Sequence, residues 1–299
     1  MDTAFVARGV IVPIFTHFDR EGFALDESIT RDHVMWLLEK GIHGLMTCGT
    51  TGEVALLATN ERKALLEIVM DQTRHRVPVM AHVGAVTTQE TLDMARHARA
   101  CHVDAISVVT PYYYRLSDRE LLTHFCRVAE SVPDMPMYLY NIPQNAGNVI
   151  SKALVEEIVS RCPNVVGAKD SSGNLQAMID LVGIADGKFQ VICGSDGLIV
   201  QALEGGACAA VSGNANVFPE ILVSTFDAFW RGDLAQAQSE ISRLGEVRRA
   251  LGSGSYLSLL KSALRARGLR AGAVRAPLSE LSVEEQEGIR RRLGEIVLV

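Results

Sequence analysis

The sequence alternates short apolar runs with longer segments of helical spacing, and it does so about eight times before residue 218. The apolar runs are rich in Val, Ile and Thr, which favour strands. The intervening segments have the spacing of amphipathic helices. In residues 26–41, for example, apolar residues form one stripe, and Gly41 is typical of the end of a helix. Strands are predicted at residues 10–18, 43–50, 78–84, 104–111, 136–143, 165–172, 190–196 and 207–214.

Eight strand and helix units in this length predict an α/β fold, a (β/α)8 TIM barrel with a C-terminal helical extension. Residues after 218 have helical patterns and no further strand. We therefore predict a catalytic barrel domain at 1–217 and a helical region packed on the barrel at 218–299. The main structural alternative is an open doubly wound sheet, but no G-x-G-x-x-G follows the first strand and no Walker-type glycine loop occurs.

Composition narrows the functional classes. With 48% hydrophobic and 21% charged residues and a net charge of -6, the chain has no basic footprint for nucleic acid. The amino terminus has no basic targeting region, and no apolar run approaches the ~20 residues of a membrane span. Six scattered cysteines without a C-x-x-C pair fit a reducing compartment. We expect a cytoplasmic protein without a cofactor, a bound metal, a nucleic-acid partner or a membrane partner.

Polar residues at the strand ends are the first candidates for a site, because the active sites of barrels lie at the carboxyl ends of the strands. The second strand ends in "GTTGE". The backbone amides of this segment and the hydroxyls of Thr50 and Thr51 could bind a carboxylate group, but an ordinary strand-to-helix turn has the same composition. The fourth ends in "TPYYY", and consecutive aromatics commonly pack together or line an interface. The fifth strand places Tyr138 and Tyr140 on the same side. Each of these tyrosines could relay a proton, or it could be a buried phenol with a purely structural hydrogen bond.

Lys169 interrupts an apolar strand pattern. It follows "VVGA", whose small residues leave room beside it, and full burial of an ammonium group is rare without a partner. Two structural roles are open: the side chain extends to the barrel mouth, or it pairs with Asp170 or Glu53. The chemical role is Schiff-base formation, since an apolar setting favours the neutral amine that attacks a carbonyl carbon.

Taken together, "GTTGE", "TPYYY", "YNIP", "GAKDSSGNL", "CGSDG" and "NANV" resemble the motifs of the dihydrodipicolinate synthase and N-acetylneuraminate lyase superfamily, the DapA-like Schiff-base class I aldolases. They occur in the order of that family and close to its spacing, over nearly the whole chain. The pair "YNxP" and "GxKDSSG" is the most specific part. The resemblance implies a lyase that acts on pyruvate or a related 2-oxo acid.

The resemblance also implies a role for each matching residue. Lys169 forms the imine, and Tyr140 resembles the proton-relay tyrosine. Thr50 and Thr51 resemble the residues that hold the carboxylate of the oxo acid, with Thr51 also linking the tyrosines. Tyr113 resembles the aromatic residue that enters the site of a neighbouring subunit, which implies a homo-oligomer, commonly a dimer of dimers. The backbones of Gly194 and Val211 match positions that line the pocket.

Departures from the motifs bear on the substrate. The biosynthetic synthases usually have an arginine shortly after "YNIP", where this chain has Gln144 and Asn145, and an amide cannot form the charged fork of arginine. The acidic pair of the sialic acid lyases is matched only in part, at Ser195 and Asp196.

These departures favour aldolases of 4-hydroxy-2-oxo and 2-keto-3-deoxy acids. Four different activities stay open: 4-hydroxy-tetrahydrodipicolinate synthase proper, a sugar-acid dehydratase, an enzyme like N-acetylneuraminate lyase, and a paralogue that binds a 2-oxo acid without turnover.

Overall fold

Eight parallel strands pair in sequence order and close into a barrel, β1-β2-β3-β4-β5-β6-β7-β8. The computed structural model describes residues 5–252 and 256–297. Closure is direct: β8 pairs in parallel with β1, with Gly9 opposite Ala209 and Ile11 opposite Val211. The predicted (β/α)8 barrel is therefore confirmed, and the open doubly wound sheet is excluded.

The strands are short and the helices that follow them are longer. The strands are β1 Gly9–Pro13, β2 Gly44–Thr47, β3 Val79–His82, β4 Ala105–Val109, β5 Met137–Asn141, β6 Val165–Asp170, β7 Gln190–Cys193 and β8 Ala209–Val211. The helices are α1 Glu27–Glu39, α2 Thr59–Thr73, α3 Thr88–Ala100, α4 Asp118–Ser131, α5 Pro143–Ala146, α6 Lys152–Arg161, α7 Leu175–Val182, α8 Ile199–Glu204, α9 Pro219–Trp230, α10 Leu234–Leu251, α11 Tyr256–Ala266 and α12 Val283–Val297.

All eight predicted strands are present, and each of them ends earlier than predicted. The first ends at Pro13 and the second at Thr47, several residues before the end of the apolar run. The residues after a strand end turn into short 3-10 segments in three cases, at Thr50–Gly52, Asp196–Leu198 and Gly213–Asn216. The apolar pattern thus continues from the strand into the loop that follows it, which is the region where a barrel builds its site.

The chain divides into two compact units, and the first comprises Met1–Ile11, Gly44–Met46 and Pro78–Val211. Its core consists of alternate strand residues that face one another. Tyr138, Tyr140 and Ile192 belong to this cluster, together with Met46 and Val109. The period of two therefore places Lys169, which is paired with Tyr140 and Ile192 in the strand register, on the same interior side.

The second unit comprises Val12–His43, Thr47–Val77 and Ser212–Val299. Helix α1 begins where the Asp26 side chain accepts a hydrogen bond from the Ile29 amide, a standard N-cap. Within this unit α9 packs on α10, and α11 packs on α12. No named strand follows Val211 in the described residues up to 297, as predicted for the C-terminal region. The division into domains at 1–217 and 218–299 stays a prediction.

The described helices include none with both the length and the apolar character that a membrane crossing requires.

Candidate active site

Lys169 is buried in β6 and has no acidic partner in the part of the chain that the structure describes. Its side chain is 4% exposed, so it does not extend into solvent. Its Nζ lies 3.8 Å from the centroid of the Tyr140 ring and 3.9 Å from Met46 Sδ. Within residues 5–252 and 256–297 it forms no ion pair. Neither of the two structural roles considered for Lys169, extension to the barrel mouth and pairing with a carboxylate, is therefore seen among the described residues.

The two acids considered as partners of Lys169 are bound elsewhere. Asp170 is buried, accepts a hydrogen bond from Asn141 Nδ2 at 2.7 Å, and accepts two more from the amide and hydroxyl of Ser172. Glu53 forms an ion pair with Lys261, with 2.6 Å between Glu53 Oε1 and Lys261 Nζ. The Lys169 amine is left beside an aromatic ring and a thioether.

Glycine packing explains how an ordinary strand accommodates this lysine. A Cβ atom at Gly167 would lie 2.3 Å from the Gln190 carbonyl oxygen and 2.6 Å from Tyr138 Cε1. The strands and the Tyr138 ring therefore approach more closely than any other residue would allow. The space gained at Gly167 is filled by Tyr138, one interior position before Lys169 and Tyr140 in the register.

The two inward tyrosines of β5 have different roles in the structure. The Tyr138 hydroxyl donates to Gln190 Oε1 at 2.7 Å, and burial raises the pKa of that phenol well above its usual value. Tyr138 is therefore a structural phenol. Tyr140 is 2% exposed, stands opposite both Val109 and Lys169 in the strand register, and contacts the Lys169 amine through its ring. Of the two tyrosines, Tyr140 is the one whose ring contacts the Lys169 amine.

A residue that sequence reasoning missed completes this cluster. His82, the last residue of β3, is buried with its ring perpendicular to that of Tyr140, at 88° and 5.7 Å between centroids. The available signal was the segment "AHVG", in which His82 has the same strand parity as the interior residue Met80. Lys169, Tyr140, Met46 and His82 thus form one buried group.

Asn145 and Gln144, which stand where the synthases have arginine, lie in the short helix α5. Gln144 Nε2 donates to the Ser171 carbonyl at 2.8 Å, so this amide already has a structural bond. Asn145 is exposed, and among the described residues its side chain forms no hydrogen bond. Asn145 is therefore the residue of the two that is free to bind a ligand.

The loop after β7 approaches the end of β6 closely. The Gly194 amide donates to the Asp170 carbonyl at 2.7 Å, and a Cβ atom at Gly194 would lie 1.9 Å from Ser171 Oγ. Only glycine fits at this contact. Ser195 follows, half-buried, at the start of the 3-10 turn Asp196–Leu198. Val211 ends β8 and belongs to the same interior cluster as Tyr140.

Thr50 and Thr51 lie in the second unit, in the 3-10 turn that directly follows β2. The Thr16 hydroxyl donates to the Gly52 carbonyl at 2.6 Å and anchors this turn. The next residue, Glu53, has a left-handed backbone with φ of 57°. Thr50 is exposed and Thr51 half-buried, so both remain accessible to a ligand.

A fully buried ion pair fixes the end of this loop. Lys261 Nζ donates to Glu53 Oε1 and also to the Thr16 and Ala273 carbonyls, all at 2.6 to 2.7 Å. The Arg275 amide donates to the second Glu53 oxygen at 2.9 Å. Burial lowers the pKa of Lys261, and Glu53 opposes that shift. The loop that contains Thr50 and Thr51 is thus bonded to the C-terminal region through Glu53.

Tyr113 is not part of the buried group around Lys169. It is 87% exposed, with a backbone φ of 82°, and the ring it contacts is that of Tyr114 at 5.1 Å. A large aromatic side chain held outward on a strained backbone is unusual. This placement is compatible with insertion into a partner.

Comparisons with known proteins show which family this chain resembles over its length. A family model described as "Dihydrodipicolinate synthetase family" matches residues 6–296. An uncharacterised DapA-like lyase of Halobacterium salinarum is 36% identical over 98% of this chain and 95% of its own length. The 4-hydroxy-tetrahydrodipicolinate synthase of Methanothrix thermoacetophila is 38% identical over 95% of both chains.

Two solved structures show the same similarity in three dimensions. YagE, a prophage protein of the dihydrodipicolinic acid synthase family from E. coli K12 in complex with pyruvate, superposes with a TM-score of 0.92 at 29% identity, covering 98% of this chain and 99% of its own. A catalytic lysine mutant of the sialic acid aldolase of Ruminococcus gnavus also gives a TM-score of 0.92, at 27% identity and with 97% and 95% of the two chains covered.

Proposed function

Because the chain belongs to the dihydrodipicolinate synthetase family and is a lyase of the aldolase kind, we propose that it acts on a 2-oxo acid through an imine at Lys169. The observation that supports this most strongly is a buried lysine whose Nζ lies 3.8 Å from the Tyr140 ring centroid and has no acidic partner among the described residues. A buried amine that stabilises nothing by ion pairing is well suited to be a nucleophile.

The proposed reaction begins when the neutral Lys169 amine adds to the C2 carbonyl of the oxo acid. One proton is taken up, one water leaves and a protonated imine forms; the proton is released again when the imine is hydrolysed. In a 4-hydroxy-2-oxo acid the C3–C4 bond then breaks, its electron pair moves into the imine to give an enamine, and the C4 hydroxyl loses its proton to become an aldehyde. Protonation at C3 and addition of water release pyruvate and restore the amine.

Tyr140 is the proposed carrier of these protons. As the phenol accepts the proton from the C4 hydroxyl, its own proton moves on into the relay of tyrosines that Thr51 links, and a proton returns to C3 by the reverse path; these are the two transfers that the reaction requires. Its contact with the Lys169 amine supports this role. Tyr138 is not proposed for this role, because its hydroxyl donates a hydrogen bond to Gln190.

The remaining site residues have roles that rest on the family resemblance. Thr50 and Thr51 bind the carboxylate of the oxo acid through amides and hydroxyls, supported by their place in a glycine-flanked turn. Gly194, Ser195 and Val211 line the pocket. The exposed Tyr113 completes the relay in a neighbouring subunit, with Thr51 linking the tyrosines, which requires a homo-oligomer and most simply a dimer of dimers. The proposed location is the cytoplasm.

The proposed substrate is a 4-hydroxy-2-oxo or 2-keto-3-deoxy acid. Asn145 supports this choice, because it offers a neutral amide where the biosynthetic synthases have a charged arginine. The 38% identity with a 4-hydroxy-tetrahydrodipicolinate synthase keeps aspartate semialdehyde as the second candidate partner. Three further activities compete with this proposal: dehydration of a sugar acid, cleavage of N-acetylneuraminate, and binding of a 2-oxo acid without turnover.

A substrate panel tests the proposal. Candidate 4-hydroxy-2-oxo acids, 2-keto-3-deoxy acids and N-acetylneuraminate are scored for pyruvate release, and pyruvate with aspartate semialdehyde is scored for pyruvate consumption. We expect release from a member of the first two classes by the wild-type protein and none by Lys169→Ala. Activity only with aspartate semialdehyde would contradict the substrate assignment. Turnover by Lys169→Ala at the wild-type rate would contradict the mechanism.

A further inference from the structure

Lys169 and His82 both lie beside the Tyr140 ring, and of these two only Lys169 takes part in the chemistry described above. Lys169 Nζ lies 3.8 Å from its centroid, and the His82 ring stands perpendicular to it at 5.7 Å between centroids. All three side chains are buried and belong to the first compact unit. The tyrosine ring is thus in contact with His82 as well as with Lys169.

The backbone around His82 leaves specific room for an imidazole. His82 lies opposite Ser107 in the strand register, and the interior cluster contains Met80, two residues before it on β3. A Cβ atom at Gly84 would lie 3.2 Å from His82 Nε2 and 2.7 Å from the Val109 amide nitrogen. Glycine at position 84 thus lets β3 approach β4 while the imidazole keeps its place.

A histidine is a costly way to fill this space. A polar ring in a protein interior loses its hydration, whereas an aliphatic side chain would fill the same volume without that cost. The neighbouring Ser107 hydroxyl is also buried, and it has no hydrogen-bond partner among the described residues. An imidazole, however, is a rigid planar ring, and a perpendicular pair of aromatic rings has a defined geometry that aliphatic contacts lack.

We infer that His82 is a positioning residue: its ring holds the Tyr140 ring at the angle that directs the phenol toward the imine of Lys169. The inference rests on the proposed function, since it requires Tyr140 to move protons there. The phenol oxygen lies at the far end of the ring from the backbone, so a small tilt of the ring displaces it. A misplacement of about 1 Å costs on the order of 100-fold in rate.

Two reactions of pyruvate alone separate imine formation from proton transfer. Borohydride trapping measures how much imine forms at Lys169 and at which pyruvate concentration. Exchange of the pyruvate methyl protons with deuterated water, followed by NMR, measures proton transfer at C3 of the same imine. Neither needs the aldehyde partner, so the test does not depend on the natural substrate.

We expect His82→Ala to slow methyl exchange by about 10- to 100-fold while half-saturation of trapping stays unchanged, which also shows that the variant is folded. In a Tyr140→Phe background, His82→Ala should cause no further loss, because it acts through that tyrosine. Met80→Ala, an interior truncation on the same strand, is the matched control and should exchange at the wild-type rate. If His82→Ala is not trapped, His82→Asn replaces it, with the same expected result.

The outcomes separate the positioning role from the proposed function. Wild-type protein that is never trapped would contradict the proposed function itself. Trapped wild type with His82→Ala exchanging at the same rate would overturn only the positioning role. The same conclusion would follow if the losses from His82→Ala and Tyr140→Phe multiply, or if Met80→Ala slows exchange as much as His82→Ala.

Discussion

Lys169 and Tyr140 lie opposite each other on adjacent strands, and the Lys169 Nζ rests 3.8 Å from the centroid of the tyrosine ring. The pairing register of β5 with β6 sets this relationship. Gly167 permits the register, because any side chain there would collide with the Gln190 carbonyl. The residues proposed as nucleophile and proton carrier are thus placed by the strands themselves, and strands position catalytic groups more rigidly than loops do.

Replacing Tyr140 by Phe removes the phenol that is proposed to carry protons and keeps the ring. We expect the imine to form and turnover to fall by about 10²- to 10⁴-fold, the usual contribution of a general acid or base. Tyr138→Phe is the matched control, because it removes a hydroxyl bonded to Gln190 and should cost only about 1 kcal/mol of stability. Steady-state kinetics and urea unfolding measure the two effects. Equal loss of activity in both variants would refute the assignment of the relay to Tyr140.

Replacing Lys261 by Met leaves Glu53 buried without its cation. Both side chains of this pair are fully buried, so we expect a loss of about 3 to 5 kcal/mol in the free energy of unfolding. Lys152→Met is the control, since the Lys152–Glu156 pair is half-exposed at 3.9 Å and should contribute less than about 1 kcal/mol. Denaturant titration of both variants checks this, and similar losses would show that the buried pair is not a principal support of the loop.

A chain of two buried histidines makes stability sensitive to acid. The Gly272 amide donates to His17 Nδ1, so His17 Nε2 carries the hydrogen that bonds His33 Nδ1 at 3.0 Å. His33 Nε2 then donates to the Asn216 carbonyl at 3.0 Å. Both rings are neutral in this arrangement, and an added proton would place two N–H groups against each other.

Burial lowers the pKa of His33 to about 4 and that of His17 well below its usual value. The folded state therefore binds fewer protons than the unfolded state, so the stability contributed by these groups is complete above about pH 6.5 and is lost as the pH falls toward 4. We expect a decrease of up to about 1.4 kcal/mol per pH unit and per group.

Urea unfolding between pH 7 and 5.5 measures this slope. His33→Gln should reduce it, because glutamine does not bind a proton in this range. His102→Gln, at an exposed position, should leave it unchanged. A slope that His33→Gln does not alter would mean that other groups cause the acid sensitivity.

Replacing Asn145 by Arg should shift the substrate preference. The Asn145 side chain is exposed at the position where the synthases have arginine, and an arginine there can form a charged fork with a substrate carboxylate. We expect KM to fall by about 10- to 100-fold for a substrate with a second carboxylate. Val149→Arg places the same charge on an exposed residue nearby and should not change KM. If both variants behave alike, position 145 does not select the substrate.

The sequence was sufficient to predict the fold and to single out Lys169 as an exception to a strand pattern, and the reason is periodicity. Eight apolar runs, and one lysine inside such a run, are local patterns that can be recognised without knowledge of the tertiary structure. The contact partners of Glu53 and His82 could not be predicted from local signals. Lys261, the partner of Glu53, lies 208 residues away along the chain. Periodicity could place His82 on the interior side of β3, but only the strand register brings its ring to Tyr140. Strand ends were also overestimated, because the apolar pattern continues into the loops that follow.

Trapping the imine and locating it tests the role of Lys169 most directly. The protein is incubated with pyruvate and borohydride, digested, and examined by peptide mass spectrometry, with Lys169→Arg as the control. We expect one reduced pyruvate adduct on the peptide that contains Lys169, and no adduct on that peptide in the variant. An unmodified Lys169 under conditions that trap sialic acid aldolase, or an adduct on another lysine that persists in Lys169→Arg, would contradict the proposed mechanism.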